Sequence, residues 1–391
     1  MNQNEVITVK NSNDILLSLL KEHTSTSTHF DTQDSNSKEI QKLFKLAKLH
    51  GIIPQCYKAI KEAKLLRKYP QLQQNYHSIV QANLMLTGHL LLLTKALEDE
   101  GFHYLSIKGP ALSQELYGDI SMRQFSDIDL YVDEKDIYNI SELLIDLDYT
   151  PVLPLSLLTR KKFLALDNDF SFRHNRSNAL LELHWKLFPV RHKMPLDFEE
   201  LHRASKTLQL QDREIRTLST EHNLLYLSLH GAKHIFERYE WVHDLHILIE
   251  KNQDLDLQNI YIQAKEDKID TPLLLGIFLS HQLFHTKLPQ SFLAYKTENI
   301  QQLIDKTVDY YKKEFVFWDE SNKKRARFLF LSELFQLQEK QSLWLMKSIF
   351  KTTPVDVITF NLPDNMAFLY PLLRPFRLAY KHLIIKKPVY A

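Results

Sequence analysis

Ser106-Ile107-Lys108-Gly109 and the following Arg123-Gln124-Phe125-Ser126-Asp127-Ile128-Asp129-Leu130-Tyr131-Val132 carry the residue types with the most chemistry in this chain. Two aspartates at i and i+2 on a strand put both carboxylates on one face. A Lys-Gly-Pro turn just upstream leads into a helix, and together these features suit a metal-bound triphosphate. Asp-x-Asp alone decides little, since it also occurs at Asp146/Asp148, Asp167/Asp169 and Asp254/Asp256. Context separates the first copy. Ile128, Leu130 and Val132 alternate with Asp127, Asp129 and Tyr131, the period-two pattern of a strand with one buried face. Asp146 and Asp148 end a helical stretch and Asp254 and Asp256 sit in a polar connection, where solvated acidic residues are expected.

Around these residues the periodicity changes twice. Helical patterns run through the first third: a short helix over 13–21, a polar low-complexity loop, a unit over 38–66 broken near Gly51 to Pro54, and a long helix over 72–100 ended by Gly101. From Phe102 the spacing predicts strand 104–107, helix 110–117, strand 128–132, helix 136–146, and a hairpin of 169–174 and 179–185 around Asn175-Arg176-Ser177-Asn178. After Pro189 helical periodicity dominates to about Phe350. The expected fold is α+β, a small mixed β-sheet core over 102–190, the only sheet, with helical regions at 1–101 and 191–391.

On the second hairpin strand Glu182 and His184 point one way, and Leu181, Leu183 and Trp185 the other. A glutamate on the same sheet as Asp127 and Asp129 would complete a three-carboxylate cluster, and hard oxygen ligands suit Mg²⁺, or Mn²⁺ in its place. His230 and His234 share a helical face at i and i+4, but no third ligand lies at a zinc-site offset. With Lys233, Arg238 and Asp244 they are expected to form a polar wall of the cleft or a buried hydrogen-bonded network.

Composition bounds the remaining possibilities. With 391 residues, 44% hydrophobic and 25% charged, the chain is an ordinary globular protein long enough for two or three domains. A formal net charge of +1 gives no sign of bulk nucleic-acid binding, and the single cysteine, Cys56, excludes internal disulfides and fits a reducing compartment. No signal peptide and no transmembrane segment is evident, so a cytoplasmic location is expected. The basic, apolar stretch from Phe368 to Tyr390 contains no acidic residue. Prolines 371, 375 and 388 interrupt it, which favours a segment docked on the helical domain over a membrane-surface helix.

Taken together, Lys108-Gly109, Leu112, Tyr117, Arg123, Asp127-Ile128-Asp129-Leu130-x-Val132 and Glu182-x-His184-Trp185 resemble the uncharacterised nucleotidyltransferase branch of the polymerase-beta-like nucleotidyltransferase superfamily. The likeness continues through His230-Gly231-Ala232-Lys233-His234 and Phe236-x-Arg238-Tyr239-x-Trp241-Val242-x-Asp244. It reaches the tail at Leu362-Pro363 and Tyr370-Pro371-Leu372-Leu373-Arg374-Pro375. The superfamily's turn usually carries Gly-Ser where this chain has Lys108-Gly109, and a lysine can replace the serine contact with a point charge beside the helix N–H groups.

The resemblance implies a metal-dependent nucleotidyltransferase that moves a nucleoside monophosphate from an NTP to an acceptor. Asp127 and Asp129 would bind the metal, and Glu182 would be the third carboxylate, activating the acceptor. Lys108, Gly109, Arg123 and His184 would contact the nucleotide. The acceptor, whether small molecule, peptide, protein or RNA end, is not readable from the residues. The rival readings are a toxin-like enzyme modifying tRNA or protein, and a binding module that kept the fold without activity.

Overall fold

The computed structural model describes residues 12–20, 38–187, 197–335 and 349–383. The chain is α+β and divides into two compact units, each built from several stretches of sequence. One comprises residues 1–91, 107–126 and 206–336, and the other 92–106, 127–205 and 337–391.

The second unit contains the strands that carry the carboxylates. β1 (Tyr104–Ile107), β2 (Asp127–Val132), β3 (Tyr149–Pro151), β4 (Asp169–His174) and β5 (Leu180–His184) lie in the order β3-β4-β5-β2-β1. β2 and β5 are parallel, with Asp129 opposite Glu182 and Tyr131 opposite His184. β4 and β5 are antiparallel, with Asp169 opposite His184 and Ser171 opposite Glu182. Residues opposite one another share a face, so Asp127, Asp129, Glu182, His184 and Asp169 all emerge on the same side. The other side is apolar. Ile128, Leu130, Val132, Leu181, Leu183 and Phe172 are fully buried, as are Ile140 and Phe163 from the helices Ile137–Asp146 and Lys161–Leu166. The Phe163 ring meets Phe170 edge-on at 6.1 Å, and Trp185 Nε1 donates to Leu164 O at 3.0 Å, so the strand ends of β4 and β5 are pinned by aromatic packing.

In the first unit the long helix Pro70–Asp99 contributes its residues up to Leu91. Beside it stand the helix Gly109–Tyr117 and a helical core of Thr220–Lys233, Tyr239–Lys251 and Asp270–Phe284. The last of these is apolar all round, with Leu275, Ile277, Phe278 and Leu279 fully buried, the pattern of a helix enclosed by others. Gly231 has a packing reason: a Cβ there would lie 2.1 Å from Phe236 Cε1.

Sequence periodicity located β1, β2, β4, β5 and the long helix to within two residues. It missed the helix Lys161–Leu166 and two features of the strands. β3 has only three residues, too few for a period to show. The hairpin of β6 (Lys206–Leu210) and β7 (Arg213–Thr217) falls where only helices were expected, so the window 102–190 does not hold every strand. Its turn uses Gln211 at φ 55°, without the Asn-Gly or Asp-Gly signal that marks such turns.

Candidate functional site

The parallel register of β2 and β5 sets Asp129 directly beside Glu182, and His184, one pleat along β5, reaches across to the aspartate. His184 Nε2 lies 2.9 Å from Asp129 Oδ1 and 3.6 Å from Glu182 Oε2. Ligand-type atoms of these three residues all fall within 4.8 Å of one another, the one such grouping of three or more among the described residues. Asp129 and His184 are buried and Glu182 is partly exposed, so the cluster opens towards solvent through the glutamate. Asp127 shares the face at the half-buried start of β2, outside that tight grouping.

Burial works against charge on His184. The hydrogen bonds to Asp129 and Glu182 and the charges of Asp129 and Asp169 outweigh it, and the imidazole pKa is held up at about 9. The protonated ring donates to Asp129 and neutralises part of the carboxylate charge. Asp169, whose Asp-x-Asp copy the sequence left unassigned, comes opposite His184 through the β4–β5 register.

The remaining sequence-derived candidates lie in the other unit. Lys108 caps the helix Gly109–Tyr117 with φ 56° and ψ −146°, a conformation that L residues rarely adopt, and Gly109 follows at φ 47°. Holding a lysine there costs about 1–3 kcal/mol, and strain of this kind gathers at ligand-holding turns.

Arg123, expected at the nucleotide, is buried. Its Nε is 2.9 Å from Asp244 Oδ2 and 3.6 Å from Glu240 Oε1. Tyr117 Oη donates to Asp244 Oδ1 at 3.1 Å and sits 3.0 Å from His243 Nδ1, while Asn83 Nδ2 donates to Arg123 O at 2.8 Å. Burial disfavours the guanidinium charge, and Asp244 and Glu240 more than restore it, so its pKa is raised. Glu240 is pushed upward by burial and by Asp244, against the pull of Arg123. Glu240 and Asn83 were absent from the candidates drawn from sequence, because only burial distinguishes them from surface polar residues.

His230 and His234 stand with ring centroids 5.0 Å apart, and Trp241 lies 5.4 Å from one and 5.2 Å from the other. The Arg238 guanidinium sits 5.4 Å over the Trp241 ring. Burial, with the charges of Lys233, Arg327, Lys108 and Arg238, drives His234 down to about 3. His230 is likewise lowered by burial and by Lys108 and its neighbours. Both rings are therefore neutral, packed in an aromatic cluster, and belong to no metal-type grouping among the described residues.

One member of each of two other Asp-x-Asp pairs has local structural work. Asp148 accepts from Asn175 Nδ2 at 2.7 Å beside the hairpin turn, and Asp256 caps the helix Leu257–Glu266 by accepting from Asn259 N at 2.9 Å.

Residues 36–285 match the family described as uncharacterised nucleotidyltransferase. A crystal structure of an antigenic nucleotidyltransferase-like protein from Paracoccidioides brasiliensis is similar over 55% of this chain and 97% of its own, at 17% sequence identity and a TM-score of 0.32. No curated protein matches the chain.

Proposed function

The chain belongs to the uncharacterised nucleotidyltransferase family, and on that premise we propose that it transfers a nucleoside monophosphate from an NTP to an acceptor hydroxyl or amine, releasing pyrophosphate. The observation that carries this reading is the convergence of Asp129, Glu182 and His184 on one sheet face. The donor set fits a hard divalent cation such as Mg²⁺ or Mn²⁺. Asp129 and Glu182 offer oxygens, Asp127 offers a third carboxylate on the same face, and a protonated His184 is a donor that cannot ligate. His184 therefore orients Asp129 in the manner of a residue behind a metal ligand.

Bound there, such an ion would neutralise charge on the α-phosphate and align it for in-line attack. Glu182, the half-exposed member, would accept the acceptor's proton as the new P–O or P–N bond forms and the bond to pyrophosphate breaks. Within the other unit, Lys108 and the first N–H groups of the helix Gly109–Tyr117 are the groups suited to a phosphate. Arg123 would serve its own unit structurally, through its buried ion pair with Asp244.

Calorimetric titration with Mg²⁺ and a non-hydrolysable NTP tests the assignment. Asp127→Asn should weaken binding on the order of tenfold or more while the melting temperature stays within a few degrees, whereas Asp129→Asn should weaken binding likewise and also lower the melting temperature, because it removes the carboxylate paired with buried His184. Parent-like affinity in both would place the site elsewhere.

A further inference from the structure

His230 and His234 have no part in the transfer chemistry, yet they stand together, partly buried, at the C-terminal end of the helix Thr220–Lys233. Trp241 packs against both rings, and the Tyr226 ring lies 6.1 Å from His230. No hydrogen bond among the described residues engages either imidazole, and neither has a nitrogen sealed from solvent, so both rings can meet a ligand. The charges that act most on them are all positive: Lys108, Lys233 and Arg123 on His230, and Lys233, Arg327, Lys108 and Arg238 on His234. The adjacent carboxylate, Glu237, is already taken, its two oxygens accepting from Arg327 Nη2 at 2.9 and 2.8 Å. Nor does the helix end supply negative charge. The amides of His234, Ile235 and Phe236 donate to the carbonyls of Gly231, Ala232 and again Gly231, closing the last turn. That closure holds Ile235 at φ 54° and Phe236 at φ 50°, a conformation that a β-branched residue rarely adopts, and Lys108 is held at φ 56°. Two strained turns of the first unit thus carry cations that act on one pair of neutral rings.

We propose that Lys108, His230, Lys233, His234 and Arg238 form a site for a polyphosphate anion. An anion is the charge this basin lacks, and lysine, arginine and imidazole N–H groups are the donors that phosphate oxygens take. Binding is coupled to protons. The same cations that keep the rings neutral in the unbound protein are offset once phosphate charge arrives, and a charge at hydrogen-bond range raises a partly buried imidazole by on the order of three pH units. His230 and His234 therefore take up protons as the anion enters, turning from acceptors into donors. Arg238 is exposed, with its guanidinium 5.4 Å over the Trp241 ring, and marks the solvent side of the site. The identity of the anion rests on the nucleotidyltransferase reading: its two sources are the triphosphate tail of an NTP and the pyrophosphate that transfer releases.

Calorimetry of the full chain at pH 6, in chelator, with pyrophosphate and with a non-hydrolysable NTP tests it. Each titration is repeated in buffers of different ionisation enthalpy to count protons. Pyrophosphate should bind, and the parent should take up on the order of one proton more than the variant carrying His230→Gln and His234→Gln, a difference in which the probe's own titration cancels. Affinity should fall on the order of tenfold in that variant and in Arg238→Gln, whose exposed side chain leaves the melting curve unchanged. Binding of the NTP as well supports the site and identifies the triphosphate tail as its ligand, and binding of pyrophosphate alone supports it as a product site. Pyrophosphate binding by a chain that transfers nothing would count against the transferase reading and leave this site standing, whereas transfer without pyrophosphate binding would remove the site alone. Absence of pyrophosphate binding, or equal affinity and equal proton uptake in the parent and both variants, would overturn the proposal.

Discussion

His184 offers a quantitative test of the carboxylate cluster without substrate or metal. Its pKa in the folded protein is about 9 against 6.5 for an ordinary histidine, the hydrogen bonds to Asp129 and Glu182 outweighing burial. At roughly 1.4 kcal/mol per pH unit, a rise of that size corresponds to about 3 kcal/mol of folding stability. Between the two values the native state keeps a proton that the unfolded chain releases, so stability falls as pH rises. The contribution is complete below about pH 6.5 and is lost as pH passes through about 9. Urea unfolding of the chelator-treated parent and of His184→Gln, from pH 6 to 10, would measure it. The stability difference between the two should shrink by about 3 kcal/mol across that range, and the His184 ring signals should titrate near 9 by NMR. A difference that stays flat or grows with pH, or a ring that titrates near 6.5, would refute the idea that the cluster is held by an imidazolium.

Asp244→Asn should destabilise the protein by about 3–5 kcal/mol in urea titrations, because it leaves Arg123 buried with Glu240 as its remaining carboxylate at 3.6 Å; a loss under about 1 kcal/mol would show that the network tolerates the missing charge. Lys108→Gly should separate strain from binding. It relieves the φ 56° backbone and stabilises the fold by about 1 kcal/mol, yet weakens NTP binding by roughly 1–3 kcal/mol, whereas unchanged NTP affinity would remove Lys108 from the phosphate site. Gly231→Ala should lower stability by about 1–3 kcal/mol, since its Cβ would meet the Phe236 ring, and a neutral result would mean that the ring shifts freely.

The strands and helices that surround the site were legible because their periodicity is strong. Ile128, Leu130 and Val132 against Asp127, Asp129 and Tyr131 announce both the strand and the polar face, and Gly101 marks the end of the long helix with φ 75°. That Asp129, Glu182 and His184 lie on the polar faces of their strands was legible too, because alternation within each strand separates polar from apolar positions, but the cluster expected from sequence was Asp127, Asp129 and Glu182, and the tight grouping is Asp129, Glu182 and His184. Register was not legible. That Asp129 stands opposite Glu182, and that Asp169 comes beside His184, depends on how β4, β5 and β2 slide past one another, which no single strand encodes. Nor could sequence distinguish a cation aimed at a ligand from one neutralised in the interior. Arg123 precedes the aspartates by four residues in a pattern suited to phosphate, yet it folds against Asp244 and Glu240 more than a hundred residues away, and only long-range packing brings those carboxylates to it. Local pattern thus determined which groups face the site. Tertiary packing decided which of them are charged and paired, because burial and the approach of distant charges fix a side chain's protonation and its partner.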